Sequence, residues 1–179
     1  MLDKRLKLCC EFVSGKGIVC DIGTDHAYLA VELIKSGKCG KVIASDVKEG
    51  PLEAARKNVE KYGVSDKIEL VLSDGLENIN PDGVTDIVIA GMGGETIVNI
   101  LENYFRKNCP EDIRLILQPM NKPEMLREFL YNLGYMNISE KAVEDGNRIY
   151  TVICAKKSNF QYRQLTEYES VAGFFDEDD

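Results

Sequence analysis

Three acidic residues mark the ends of three consecutive apolar runs. Asp21 lies in Asp21-Ile22-Gly23-Thr24-Asp25-His26, Asp46 follows Lys41–Ser45, and Asp74-Gly75 follows Ile68–Leu72. A dinucleotide loop starting at Gly23 would read G-x-G-x-x-G, but Asp25 and Tyr28 occupy the second and third glycine places, and a carboxylate there repels a pyrophosphate. S-adenosylmethionine has no phosphate and presents an ammonium and a sulfonium, so it can sit beside Asp21. Asp46, 25 residues after Asp21, is placed to accept both ribose hydroxyls. Asp74 can accept from the adenine amino group while Gly75 lets the backbone approach the ring. Taken singly, each acid reads equally well as a cap of the next helix or turn; three in consecutive units, converging on one crevice, favour a ligand.

A fourth apolar run ends in Ala90-Gly91-Met92-Gly93-Gly94. Its glycines demand open backbone geometry where a transferable methyl group would meet its acceptor, or else a tight packing turn into the next helix. Gln118, at the end of a fifth run, either presents its amide to a base edge or braces the loop. The single histidine, His26, reads as a cap or packing residue before it reads as a base, and no Ser-His-Asp set can be assembled without it. The candidate cofactor contacts are thus Asp21, Gly23, Thr24, His26, Asp46, Val47, Asp74, Gly75, Gly91 and Met92. Tyr28, Gly93 and Gln118 are the candidates on the acceptor side.

These residues need a scaffold that brings strand ends together. Short apolar runs alternate with amphipathic stretches, which is the pattern of βαβ units around a parallel sheet. Strands are predicted at 17–22, 41–45, 68–72, 84–90 and 113–117. The intervening helices are predicted at 27–36, from Pro51 to Tyr62, from Gly94 to Arg106, and from a cap at Asn121 to Gly134. Asp145-Gly146, between β-rich runs at 135–142 and 148–155, signals a hairpin. Five parallel strands closed by a hairpin predict an α/β protein with a Rossmann-like class I methyltransferase fold, its mostly parallel seven-stranded sheet ending in a C-terminal antiparallel hairpin.

At 179 residues with a net charge of −8, the chain fits one domain with a sizeable core. No apolar run approaches the ~20 residues of a spanning helix, and the six cysteines form no C-x-x-C, so they read as buried thiols in a reducing, cytoplasmic setting with neither membrane nor metal. The acidity gathers in residues 158–179, where Arg163 is the one base against six acids; an acidic whole argues weakly against nucleic acid and says little about local patches.

At Lys4-Arg5-Leu6, Asp21-Ile22-Gly23-Thr24-Asp25-His26-Ala27-Tyr28-Leu29, Ala90-Gly91-Met92-Gly93-Gly94 and Leu115-Ile116-Leu117-Gln118-Pro119 the sequence resembles the bacterial tRNA (adenine(22)-N1)-methyltransferase family, nearly end to end from Leu2 to Lys157. The resemblance implies methyl transfer from S-adenosylmethionine to N1 of an adenine in the tRNA D-arm, with Asp25 as the catalytic carboxylate. It also implies a methyltransferase domain over 1–157, with 158–179 as the start of a missing or shortened helical coiled-coil domain. Ala30 stands where family members usually have proline, which relaxes the first turns of that helix.

The chemistry is consistent with one carboxylate. Adenine N1 already holds a lone pair, so transfer is an in-line displacement that creates a cationic ring, and a carboxylate accepting from the exocyclic amine stabilises that charge. Basic residues for RNA contact are Lys4, Arg5, Lys7 and Lys16 near the N-terminus and Lys122 and Arg127 after the fifth strand. Two other readings remain open at this stage: a small-molecule methyltransferase, or a non-catalytic protein that binds S-adenosylmethionine or RNA.

Overall fold

The computed structural model describes residues 2–107, 112–135, 137–157 and 165–173. Chain order is α1 (Lys4–Phe12), β1 (Ile18–Ile22), α2 (Tyr28–Lys35), β2 (Lys41–Asp46), α3 (Glu49–Lys61), β3 (Ile68–Leu72), β4 (Val84–Met92), α4 (Gly94–Lys107), β5 (Arg114–Pro119), α5 (Pro123–Asn132), β6 (Asn137–Asp145), β7 (Arg148–Lys156) and α6 (Glu167–Ala172). The seven strands make one sheet, ordered β3-β2-β1-β4-β5-β7-β6. Only β7 runs against its neighbours, pairing antiparallel with both β5 and β6. The expected fold is the observed one, down to the closing hairpin.

Helices cover both faces. Leu29, Ala30, Val31, Leu33 and Ile34 of α2 join residues of α1 and α3 in one core layer, and Ile97, Leu101, Leu126 and Leu130 of α4 and α5 build the other. Each fully buried aliphatic side chain contributes roughly 1.5–3 kcal/mol, which is why β1, β4 and β5, with apolar layers on both faces, read as nearly continuous apolar runs. The acid inside the β4 run, Asp86, is fully buried and satisfied: it accepts from Ser14 N at 2.8 Å, Ser14 Oγ at 2.5 Å and Thr85 Oγ1 at 2.7 Å.

Several local expectations change. The opening helix α1 has only Leu8 and Cys9 fully buried, too weak a stripe for the sequence to announce it; Asp3 caps it by accepting from Leu6 N at 2.8 Å. Helix α3 begins at Glu49, two residues before Pro51. The hairpin loop is Gly146-Asn147, since Asp145 and Arg148 are a strand pair. Asn121 does not cap α5, whose N-cap is Lys122 at φ +50°; the Asn121 side chain instead accepts from Gly94 N at 3.3 Å, at the start of α4. Cys109 and the aromatic residues Phe160, Tyr162, Phe174 and Phe175 lie outside the described residues.

The remaining cysteines are free, and burial pushes their thiols up, those of Cys10 and Cys20 to about 12. Among the described residues there is no helix long and apolar enough to cross a membrane and no group of side chains suited to hold a metal ion.

Candidate active site

Strand order reverses between β1 and β4, and in open α/β sheets the crevice at that reversal takes the ligand. The loop leaving β1 is suspended from its neighbours: Gly23 N and Thr24 N both donate to Ser45 O at 2.9 Å, and Asn58 Nδ2 of α3 donates to His26 O at 2.9 Å. Within it Gly23, Asp25 and Ala27 have φ of +73°, +52° and +56°. Two left-handed non-glycine residues in three positions store of order 1–3 kcal/mol each, a strain typical of functional loops. The result is an outward carboxylate. The Asp25 side chain is 68% exposed and its Oδ2 lies 3.6 Å from His26 Nε2, while the His26 and Tyr28 rings are 5.5 Å apart.

Asp21, at the end of β1, is its opposite. It is buried and accepts from Thr24 Oγ1 at 2.6 Å; burial raises its carboxyl to about 6, although the Thr24 hydroxyl and the Ala30 backbone hold it down and nearby Asp46 adds to the rise. Asp46 Oδ1 accepts from Lys48 N at 3.0 Å, and its Oδ2 from Asp25 N at 3.4 Å.

Across the crevice, β4 is kinked at Gly91, where φ is +80° and the register with β5 slips. The kink is pinned from behind. Gln118 Oε1 accepts from both Gly91 N at 3.1 Å and Arg5 Nη1 at 2.7 Å, and Arg5 Nη2 donates to Asp3 Oδ2 at 3.0 Å. A cavity of about 220 Å³ lies between the two loops, lined by Arg5, Asp21, Thr24, Asp25, Tyr28 and Gly91, with Gly23 and His26 beside them.

Known proteins match this arrangement. Residues 2–153 match the family model described as a methyltransferase domain. The tRNA (adenine(22)-N(1))-methyltransferase of Bacillus subtilis is 37% identical over 155 residues, which are 87% of this chain and 65% of that enzyme. The crystal structure of the B. subtilis M1A22 tRNA methyltransferase TrmK superposes with a TM-score of 0.88 at 32% identity, covering 97% of this chain and 75% of that one. The chain belongs to the tRNA (adenine(22)-N1)-methyltransferase family. Two further relatives were solved with cofactor species. Sp1610 of Streptococcus pneumoniae, in complex with S-adenosyl-L-methionine, is 38% identical with a TM-score of 0.89, covering 98% of this chain and 80% of that one. TrmK of M. capricolum, with S-adenosyl-homocysteine, is 31% identical with a TM-score of 0.84, covering 97% and 76%. The chain spans about two thirds of the length of the curated B. subtilis enzyme.

In this family member the candidates sort into three places. Asp21, Gly23, Thr24, Asp25, His26, Tyr28, Gly91 and Arg5 share the cavity, and Met92 lies across Gly23, where a Cβ would stand 2.2 Å from Met92 Cε. Asp46 and the exposed Val47 adjoin it at the end of β2. Asp74 lines a separate hollow beside α4.

Other expectations are overturned. Gly75 is a glycine because it packs on α4: a Cβ would lie 2.8 Å from Ile100 Cγ2, so approach to an adenine ring is not its reason. Gly93 packs on the β5–α5 turn, 3.1 Å from Asn121 Oδ1 on the same measure. Gln118 is fully buried, with its Nε2 donating to Pro119 O at 2.8 Å, so its amide braces the loop and meets no base edge. Lys122 Nζ holds Glu95 Oε2 at 2.9 Å, joining the starts of α4 and α5. Lys4 keeps an exposed side chain, and its backbone N donates to Asp145 Oδ2 at 3.2 Å. Sequence reasoning missed Leu6, Leu29 and Ala90 in the cavity wall; the Leu6 contact depends on α1 crossing β5 and β7, a contact distant in sequence.

Proposed function

We propose that this chain transfers a methyl group from S-adenosylmethionine to N1 of adenine 22 in the D-arm of tRNA. The observation that carries the reading is the Asp25 carboxylate, held outward on left-handed backbone at the rim of a cavity that Asp21 and Gly91 also line, in a chain of this family. The residues present fit a cationic, phosphate-free cofactor. Asp21 is a buried carboxylate short of a positive partner, and the backbones of Gly23 and Gly91 line the cavity beside it.

When bound, the cofactor supplies an electrophilic methyl on a sulfonium. Asp21 and Thr24 would hold its ammonium end and Asp46 its ribose hydroxyls, with Val47 toward the adenine. Asp25 would accept a hydrogen bond from the exocyclic amine of the substrate adenine and stabilise the positive ring that forms, while Tyr28 lies against the base. Because Asp25 N is bonded to Asp46, the carboxylate that meets the substrate is positioned by the residue that meets the ribose. Adenine must leave its stack to reach this rim, at a cost of a few kcal/mol.

The partner in this reading is tRNA and the location cytoplasmic. Residues 1–157 form the methyltransferase domain in this reading. The test is methyl transfer from labelled S-adenosylmethionine to an unmodified tRNA transcript with adenine at position 22, beside a guanine transcript and the Asp25→Ala variant. Label on the adenine transcript alone, reduced about 10²–10³-fold in the variant, is expected. Equal labelling of both transcripts, or full activity in the variant, overturns the assignment.

A further inference from the structure

A second hollow opens beside the active-site cavity and is lined by none of the candidate cofactor contacts. Strand β7 pairs with β5 only from Ile153 to Lys156, opposite Leu117 to Arg114, whereas it pairs with β6 along its whole length from Arg148. The stretch from Arg148 to Tyr150 therefore runs past the end of β5 as one side of a two-stranded arm. Between this arm and the β5–α5 turn lies a space of about 410 Å³, lined by Pro119, Met120, Asn121, Arg148, Ile149 and Tyr150. That volume falls within the ~300–1,000 Å³ of small-ligand pockets.

Its lining is unusual for a surface. Ile149 on the arm is 76% exposed and Met120 on the turn 42%, two apolar side chains left in water. Arg148, also exposed, supplies a positive charge at the arm's end. The arm is fixed to the active site: Lys4 N is bonded to Asp145 at the arm's tip, and the Arg5 guanidinium, which lines the cavity, lies 6.0 Å from the centre of the Tyr150 ring. The two hollows thus sit side by side with Arg5 and Tyr150 between them.

We propose that this hollow is a subsite for one nucleotide flanking the target adenine, its base against Tyr150 and Met120 and its phosphate toward Arg148. The inference rests on the RNA substrate proposed above. Flat apolar and aromatic contacts suit a base of any identity, and a nearby cation suits its phosphate. Continuity with the cavity makes the occupant the neighbour of the extruded adenine, which must be held by its flanks once it has left the stack.

The experiment measures binding of a D-arm stem-loop RNA by anisotropy, with the nucleotide on either side of the target adenine intact or abasic, to the full chain and to Tyr150→Ala and Tyr150→Phe. Removing one flanking base should weaken binding to the wild-type chain about tenfold. Tyr150→Ala should weaken binding of intact RNA by a similar factor and be indifferent to the abasic change, and Tyr150→Phe should behave as wild type. S-adenosylmethionine affinity and thermal midpoint should be the same in all three proteins. Independent, multiplying losses, no loss from either abasic position, or no RNA binding by the wild-type chain each overturns the subsite. Methyl transfer to the same intact RNA is read separately: binding with the expected non-additivity but no transfer removes the proposed reaction and leaves the subsite standing.

Discussion

Two buried carboxylates in this molecule have opposite surroundings. Glu140, on β6, is met by Arg127 of α5 in a two-pronged pair, Nε to Oε1 and Nη2 to Oε2, both at 2.8 Å. The same guanidinium donates through Nη1 to Ser170 O at 2.8 Å and Val171 O at 3.0 Å, tying α6 to the domain. Asp21 is as deeply enclosed but has a hydroxyl and backbone for company and no cation, and its carboxyl rises to about 6. A buried charge with all its partners inside the protein is architecture. One left short of a counter-charge has its carboxyl raised by burial, as functional groups in clefts do. Helix α6 is packed onto this domain at the Arg127 joint.

The comparison breaks most sharply at Arg127. Truncating Arg127→Ala leaves Glu140 uncompensated in the interior, and denaturant unfolding should show a loss of about 3–5 kcal/mol. S-adenosylmethionine affinity of the folded fraction should be unchanged, because the joint lies away from the β1–β4 crevice. A variant as stable as wild type would show that the pair is not structural.

Asp21→Asn should act the other way. Affinity for S-adenosylmethionine should fall by about 1.5–3 kcal/mol, the range of a hydrogen bond to a charged group, as read by calorimetry, while the unliganded protein loses no stability at neutral pH. The pH dependence follows from the raised carboxyl. Between the ordinary aspartate range and about pH 6 the folded state holds a proton that the unfolded state has released, so Asp21's contribution to stability is fullest below pH 4 and is lost as pH rises through about 6. Cofactor affinity should rise over the same interval as the carboxylate forms, and Asp21→Asn should flatten both slopes. An unchanged affinity profile in the variant would exclude Asp21 as the ammonium's partner.

The smallest effect is expected at Gly173. Its φ is +90°, and a Cβ would stand 2.7 Å from Arg127 Nη2 and 2.8 Å from Glu140 Oε2. Gly173→Ala should therefore cost about 1–3 kcal/mol by crowding the pair, leave cofactor binding intact, and mimic Arg127→Ala in miniature. A neutral result in a thermal melt would mean that α6 is not seated on the pair in solution.

The sheet was legible because its central strands are buried on both faces and so read as unbroken apolar runs, and because the hairpin carries its own turn signal. Asp21 and Gly23 were legible because an acid and a glycine at a strand end announce themselves locally, whereas Asp25 was singled out by the family resemblance. Helix α1 was not, since its stripe is narrow. The misread glycines share one cause: sequence shows that backbone must be open at Gly75 and Gly93, but what approaches, Ile100 or Asn121, is set by tertiary packing. Gln118 was ambiguous for the same reason, its partner Arg5 lying 113 residues away. The short helix α6 depends on a capping box at Thr166 and Glu169 and on Arg127, and only the first is local.

The double hydrogen bond from Gly23 N and Thr24 N to Ser45 O bears on timescale as well as shape. Loop amides usually exchange with solvent in the fast, fraying class, but these two are locked to a central strand, and their protons should exchange on the schedule of the sheet. The exposed carboxylate two residues later then rides on a platform that opens only when β1 and β2 part. What stands free of that platform in solvent is the Asp25 side chain itself, 68% exposed.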